Sequence, residues 1–141
     1  MRVTDIVRED LPQLARLLEA LTRLATPLDR LEAAYGRMAR HPDYHLIGVR
    51  DGEILAGAVC GIVCLDCVGA CRPYLVAENL IVAEAYRRRG LGRLLLGELE
   101  ARARQRDCFY IMLVAGRQRR EAHAFYTALG YAAEAGFKKR L

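Results

Sequence analysis

Arginines and glycines are concentrated just before a helix-like segment, and this combination suits an anionic ligand. The arginines are Arg87, Arg88, Arg89 and Arg93, the glycines are Gly90 and Gly92, and Leu91 lies between the two glycines. Glycines let neighbouring backbone N–H groups point outward together, and the helix dipole adds positive charge at the same place. A polyphosphate has the charge and the acceptor oxygens for such a concavity. The sequence therefore predicts a polyphosphate-binding loop over residues 87–93.

Two common phosphate-binding motifs do not fit this loop. The P-loop ends in Gly-Lys followed by Ser or Thr, which is absent here, and the dinucleotide fingerprint needs a third glycine where Leu95 stands. The spacing that remains is Arg-x-x-Gly-x-Gly, from Arg87 to Gly92, behind an extended apolar run. This spacing resembles the acetyl-CoA loop of the GNAT superfamily of N-acetyltransferases.

A second motif of the same family follows at the expected distance. The residues from Ala122 to Tyr131 read Ala-x-x-Phe-Tyr-x-x-x-Gly-aromatic, which is similar to a helix of that superfamily. The resemblance is close from Tyr74 onward and rests on element order before it. It implies one domain over residues 1–141 that moves an acetyl group from acetyl-CoA to a primary amine. A non-catalytic acyl-CoA-binding regulatory domain is the alternative.

The resemblance also implies two catalytic residues, for which structural roles stay open. A primary amine has a pKa of about 10 and must lose a proton before it attacks a thioester. Glu78, in the strand before the loop, is the candidate base, either directly or through water; otherwise it is a paired or exposed carboxylate. Tyr126 matches the tyrosine that protonates the leaving thiolate, and otherwise it is a half-buried aromatic residue.

Cofactor contacts follow from the same resemblance. The main chain of the strand end is expected to pair with the pantetheine arm, and the loop amides with the pyrophosphate. Arg119 stands where the family usually has Asn, and it either replaces that contact or remains exposed. The predicted contacts are Leu80, Ile81, Val82, Arg87, Arg88, Arg89, Gly90, Leu91, Gly92, Arg93 and Arg119.

The charge excess needs no nucleic acid. The chain has a formal net charge of +5 and a pI of about 9.1. Seven of the 20 arginines lie around the proposed phosphate loop and on the helix after it, and no aromatic residue for base stacking occurs between Arg87 and Arg106. We therefore expect no nucleic-acid partner and no membrane partner. The N-terminus lacks a signal-peptide pattern, which favours a cytoplasmic protein.

The cysteines do not predict a metal site. Cys64 and Cys67 form a Cys-x-x-Cys pair, but Cys71 follows at once instead of the distant second pair of a zinc ribbon. Small core or half-exposed side chains are the preferred interpretation for Cys60 and its neighbours.

Hydrophobic periodicity and turn signals predict an α+β fold with three layers. Strands are expected at residues 3–7, 44–50, 54–65, 74–82, 109–114 and 131–139, and helices at 11–25, 28–40, 91–106 and 119–129. The family resemblance implies a mixed, mostly antiparallel sheet of about six to seven strands flanked by about four helices. It also implies a splayed pair of strands that holds acetyl-CoA. The amine acceptor and a homodimer are left open.

Overall fold

The computed structural model describes residues 1–141 and confirms the mixed, mostly antiparallel fold with four α-helices. The strands are β1 (Arg2–Asp5), β2 (Tyr44–Asp51), β3 (Ile54–Cys64), β4 (Tyr74–Val82) and β5 (Ile111–Leu113). The helices are α1 (Leu11–Thr22), α2 (Leu28–Met38), α3 (Leu91–Gln105) and α4 (Arg120–Ala128), and short 3₁₀ turns occur at Arg8–Asp10 and Glu84–Tyr86. None of these helices is both long enough and apolar enough to cross a lipid bilayer.

The sheet keeps the order of the sequence, β1-β2-β3-β4-β5. The first three pairings are antiparallel, and only β4 and β5 run parallel because α3 connects them as a crossover. Strands β2 and β3 form a hairpin whose turn residues are Gly52 and Glu53, since Asp51 pairs with Ile54, and Gly52 has the positive φ of 57° that the first residue of such a turn needs.

Two clusters of buried residues lie on opposite sides of the sheet. One cluster joins α3 to the sheet through residues such as Leu95, Leu96 and Leu99, all fully buried. The other joins α1 to the sheet through Leu14, Ala58 and Ile81 among others. The predicted three layers are therefore present, with the sheet between α1 and α3.

The predicted sixth strand, residues 131–139, is wrong, and the sheet has five strands instead of six or seven. Residues 132–136 read Ala-Ala-Glu-Ala-Gly, which has low strand propensity. The neighbouring edge strand, β5, is also only three residues long and offers few main-chain partners. This segment stays irregular and lines a cleft of about 900 Å³ next to β5.

Helix α1 ends three residues earlier than predicted. Arg23, at its C-cap, has a φ of 61° and breaks the helical path, while the N–H of Thr26 is bound by a Glu19 carboxylate oxygen at 2.8 Å. A left-handed residue at the end of a helix turns the chain so that the N–H groups after the helix bind carbonyls of its last turn, which would otherwise lack a partner. Thr22 is therefore the last helical residue of α1, at the edge of the cleft described next.

Candidate active site

The candidate site lies where β4 and β5 separate. Their parallel pairing covers only three steps, from Leu75 with Ile111 to Ala77 with Leu113. Strand β4 continues to Val82, so residues 78–82 have no strand on the β5 side. An extended ligand that carries amides can pair with such an open edge. The splayed strands predicted from the sequence are present in this part of the sheet.

A β-bulge produces the separation. Cys60 pairs with Glu78 and Ala58 with Ile81, so two residues of β4, Asn79 and Leu80, face the single residue Val59. Asn79 has a φ of 55°, a left-handed conformation that Asn adopts more readily than most residues. Such a bulge bends its strand and increases the local twist, which turns the end of β4 away from β5.

Sequence reasoning did not identify Asn79 as part of the site, although a signal was present. Asn is depleted in strand interiors, so an Asn directly after Glu78 in a nine-residue strand that is otherwise apolar is typical of a bulge. The same bulge shifts the side-chain alternation. Ala77 packs with α3, Leu80 also faces α3, and Ile81 faces α1.

Hydrogen-bond alternation decides which main-chain groups of β4 are available. Ala83 donates its N–H to the Ala56 carbonyl at 2.8 Å. In an antiparallel ladder the bonded pairs alternate, so the N–H and C=O of Ile81 face β3, and those of Leu80 and Val82 face outward. Of the three residues predicted to contact a pantetheine arm, Leu80 and Val82 therefore present their main chain to the open edge.

The predicted phosphate loop lies at the end of β4, before α3. Gly90 is the N-cap of α3 with a φ of 81°, and no side chain caps the helix. The first N–H groups of a helix have no intrahelical acceptor, so those of Leu91, Gly92 and Arg93 are available to an anion. Arg88 has a left-handed φ of 62°, which gives the loop its tight path.

The arginines of the loop differ in their contacts. Arg87 donates its Nε–H to the Val82 carbonyl at 3.3 Å, which links the loop to the end of β4. The Arg89 guanidinium lies 5.1 Å from the centre of the Tyr86 ring, in the range of a cation–π contact. Arg88 and Arg93 are exposed and make no ion pair with the protein. Two guanidiniums are thus fixed in position and two are available to a ligand.

Gly92 also has a packing role. A Cβ atom there would lie 3.0 Å from the Phe125 ring, whereas one at Gly90 would meet nothing within 4 Å. A side chain at position 92 would therefore push on α4, which carries Tyr126. The two glycines are required for different reasons: conformation at Gly90 and close approach to α4 at Gly92.

Glu78, Arg119 and Tyr126 line one cleft of about 190 Å³ at the open edge of β4. Leu21 and Thr22, in the last turn of α1, line the same cleft and were not predicted from the sequence. The structure therefore brings together the two predicted catalytic residues and the predicted substitute for the family asparagine. Glu78 is exposed, so its carboxylate is accessible from the cleft.

Tyr126 has the protonation state that an acid needs. Burial raises the pKa of its phenol above the ordinary value of 10.0, and the Arg119 guanidinium partly offsets this rise. The hydroxyl is thus protonated at neutral pH. The tyrosine packs 5.3 Å from the Phe125 ring and 6.0 Å from the Tyr131 ring, measured between ring centres.

Cys60 faces Glu78 across the two strands, and its surroundings disfavour the thiolate form. Burial, together with the Glu78 charge, raises the pKa of this thiol to about 11, and thiolate is the reactive form.

All five cysteines are free, and no group of three or more His, Cys, Asp or Glu side chains could hold a metal ion. His123 is held by the Gly116 carbonyl at 3.0 Å, outside the cleft.

Comparison with known proteins agrees with this geometry. A sequence model of the Acetyltransferase (GNAT) family matches residues 7–131. The chain belongs to the GNAT family of acetyltransferases. No curated protein matches the chain by sequence.

Solved structures share the whole GNAT fold of this chain. A putative acetyltransferase from Agrobacterium tumefaciens has a TM-score of 0.92 at 25% identity, with 100% of both chains covered. A protein described as a transcriptional regulator from Bacillus halodurans has the same TM-score at 23% identity, with 99% of both chains covered. An aminoglycoside 6'-N-acetyltransferase from Acinetobacter haemolyticus has a TM-score of 0.79 at 16% identity, covering 100% of this chain and 99% of its own.

Proposed function

We propose that this GNAT protein is an N-acetyltransferase that moves the acetyl group of acetyl-CoA to a primary amine by direct attack. The observation that carries the proposal is the open main chain at residues 78–82. It begins at a candidate base, shares a cleft with the half-buried phenol of Tyr126, and ends at a loop suited to phosphate.

The residues suit two parts of acetyl-CoA, its pantetheine arm and its diphosphate. The amides of the pantetheine arm would pair with the outward main chain of Leu80 and Val82. The diphosphate would accept hydrogen bonds from the first N–H groups of α3, with Arg88 and Arg93 adding charge. Gly90 leaves the loop open at this point because it has no side chain. Arg119 lines the cleft and is the candidate for a further contact to the coenzyme.

An amine that arrives as its ammonium form loses one proton to the surroundings before it attacks and a second as the amide forms, and one proton must reach the thiolate. Bound acetyl-CoA supplies an electrophilic thioester carbonyl. Glu78 accepts the proton that the amine must lose, directly or through a water molecule, as the C–N bond forms. When the C–S bond breaks, Tyr126 donates its phenolic proton to the sulfur and later regains one from solvent. The products are the N-acetyl amine and free CoA thiol.

Acetyl transfer can be tested by following free CoA thiol over time with acetyl-CoA and a panel of primary amines. The proposal predicts release that depends on the amine and falls at least tenfold in Glu78→Gln. Glu53→Gln is the matched control, because Glu53 is an exposed carboxylate in the β2–β3 turn, outside the cleft. Saturable binding of acetyl-CoA with no amine-dependent release would support the regulatory alternative instead.

A further inference from the structure

The sheet face that carries Glu78 is apolar beyond that residue. In the β3–β4 register, Ile62 stands opposite Val76 and Cys64 opposite Tyr74, as Cys60 does opposite Glu78. Residues directly opposite each other in an antiparallel pair point to the same face. The face of Glu78 therefore continues along both strands as aliphatic, thiol and aromatic side chains.

Strand β5 and the residue before it extend this face. Met112 is the parallel partner of Val76, and Tyr110 stacks on Tyr74 with ring centres 5.1 Å apart and planes 12° apart. We name this surface the acceptor floor. It consists of Cys60, Ile62, Cys64, Tyr74, Val76, Tyr110 and Met112.

Apart from Cys60, which is 7% exposed, the acceptor floor is more open than the opposite face of the same strands. Leu75 and Ala77, which alternate with Val76, are 0% and 6% exposed because α3 covers them. On the acceptor floor, Met112 is 41% and Tyr110 is 44% exposed, and Val76 is half-buried. Helix α1 covers only the far part of this face.

The position of α1 restricts how an amine can reach Glu78. The last turn of α1 lines the Glu78 cleft through Leu21 and Thr22, so α1 bounds the cleft on that side. The main chain of Leu80 and Val82 on the open edge is assigned to the coenzyme. The remaining direction for the body of an acceptor is along β4, over Val76 towards Tyr110.

The strand register itself places little charge on this path. Among the residues on this face, Glu78 carries the one carboxylate, whereas Glu100 and Glu134 line the neighbouring cleft with Tyr110 and Met112. Asp66 lies near Tyr74, and one of its carboxylate oxygens accepts hydrogen bonds from the N–H groups of Cys67 and Val68. Over the apolar side chains next to Glu78, a further ammonium group would lose water without a directly paired charge, whereas an apolar body gains from the same burial.

We propose that the acceptor is a primary amine on an apolar or aromatic body, of the arylalkylamine type, with its body on the acceptor floor and its nitrogen at Glu78. This rests on the proposed acetyl transfer and names the substrate class of that site. An aromatic ring on this surface lies beside the stacked Tyr74 and Tyr110, where a further offset or edge contact is favourable.

The direct test is calorimetric binding of amines to the protein saturated with free CoA, which needs no turnover. The probes are ethylamine, 2-phenylethylamine, spermidine and kanamycin. We expect 2-phenylethylamine to bind at least tenfold more tightly than ethylamine, which has the same reacting group, and spermidine to bind no more tightly than ethylamine. Tighter binding of spermidine or kanamycin than of 2-phenylethylamine would overturn the proposal.

Variants locate the effect on the acceptor floor. Val76→Asn and Met112→Asn should each weaken 2-phenylethylamine binding about tenfold and leave CoA affinity unchanged. Ile54→Asn is the matched control, since Ile54 is 50% exposed at the hairpin end of β3. Two separate variants are used so that one unstable protein does not prevent the test. Unchanged amine binding in a folded floor variant contradicts the assignment.

Measuring kcat/KM for the same amines separates this proposal from the proposed function. Acetylation of spermidine in preference to 2-phenylethylamine would keep the transferase and reject the apolar acceptor. Tight 2-phenylethylamine binding that the floor variants weaken, without any acetylation, would keep the acceptor floor and reject the transferase.

Discussion

Glu78 and Tyr126 reach the cleft from different elements, and this arrangement is the residue-scale basis of the proposed chemistry. Glu78 is an exposed carboxylate on the α1 side of β4. Tyr126 is a half-buried phenol on α4 that packs with the α3 cluster. A ligand at the open edge of β4 would thus meet a proton acceptor and a proton donor from different sides.

Glu78→Gln should lower kcat/KM most strongly at low pH. A primary amine with a pKa of about 10 is mostly protonated at pH 6–7, where a base is needed, and loses its proton unaided as the pH rises. The ratio of the wild-type rate to the variant rate, measured by CoA thiol release, should therefore fall towards one between pH 6 and pH 9.5. A ratio of one across the profile would rule out Glu78 as the base.

Tyr126→Phe should lower kcat at least tenfold with the fold intact. The phenol is protonated at neutral pH because burial raises its pKa, so the variant loses a proton donor worth about 1.4 kcal/mol or more. Steady-state kinetics and a thermal melt of the same preparation test this. An unchanged kcat would leave Tyr126 as a packing residue next to Phe125.

Motif spacing predicted Glu78, Arg119 and Tyr126 as site residues, and all three line one cleft. The sequence did not single out Leu21 or Thr22 of α1, which line the same cleft. Thr22 enters the cleft because Arg23 ends the helix there in a left-handed conformation. The apolar periodicity of α1 continues to Leu24, so the pattern alone predicts a longer helix. Tertiary contacts and capping decide the boundary.

At the scale of elements, the bulge in β4 decides whether a site exists. Regular pairing of β4 with both neighbours would leave no open main chain for a coenzyme. Asn79 favours the bulge because Asn tolerates the left-handed conformation, which costs most residues about 1–2 kcal/mol.

Asn79→Val and Asn79→Gly form a matched pair that tests the bulge. A β-branched residue at a φ of 55° should lower the free energy of unfolding by about 1–2 kcal/mol and weaken acetyl-CoA binding. Glycine should retain both properties because it has no Cβ. Urea denaturation and calorimetry measure the two effects. Equal CoA affinity in both variants would show that the bulge conformation is irrelevant to binding.

Tyr131 holds the segment after α4 against α3, and this contact predicts an alkaline limit to stability. Its hydroxyl donates to a Glu100 carboxylate oxygen at 3.2 Å, and burial and the Glu100 charge raise its pKa far above 10.0. Ionisation is therefore easier in the unfolded chain. The stabilisation is complete below pH 10 and is lost as the pH rises towards the folded-state pKa.

Tyr131→Phe should lower the free energy of unfolding by about 1 kcal/mol at pH 8, because the hydrogen bond is lost. Between pH 10 and 11 the free energy of unfolding of Tyr131→Phe should fall less steeply with pH than that of the wild type. The two slopes should differ by up to about 1.4 kcal/mol per pH unit. Urea denaturation at each pH measures both values. Parallel declines in the two proteins would show that Tyr131 does not cause the alkaline loss.

On the scale of the whole molecule, periodicity and turn signals predicted the three layers, and the family resemblance implied the mixed, mostly antiparallel sheet. The strand prediction failed at the C-terminal segment, which has aromatic residues at Tyr131 and Phe137. The alanines and glycine between them have little strand propensity, and the three-residue β5 provides a short edge. Whether residues 131–139 pair as a strand depends on the length of the neighbouring strand, and the local sequence of residues 131–139 does not contain that information.

Calorimetric titration of the protein with acetyl-CoA tests the central claim most directly. If the open end of β4 and the α3 loop form a coenzyme site, the titration should show one saturable site per chain. Gly90→Val should then bind more weakly, because a β-branched residue at a φ of 81° distorts the loop. A folded wild-type protein that takes up no acetyl-CoA at millimolar concentration would contradict the account.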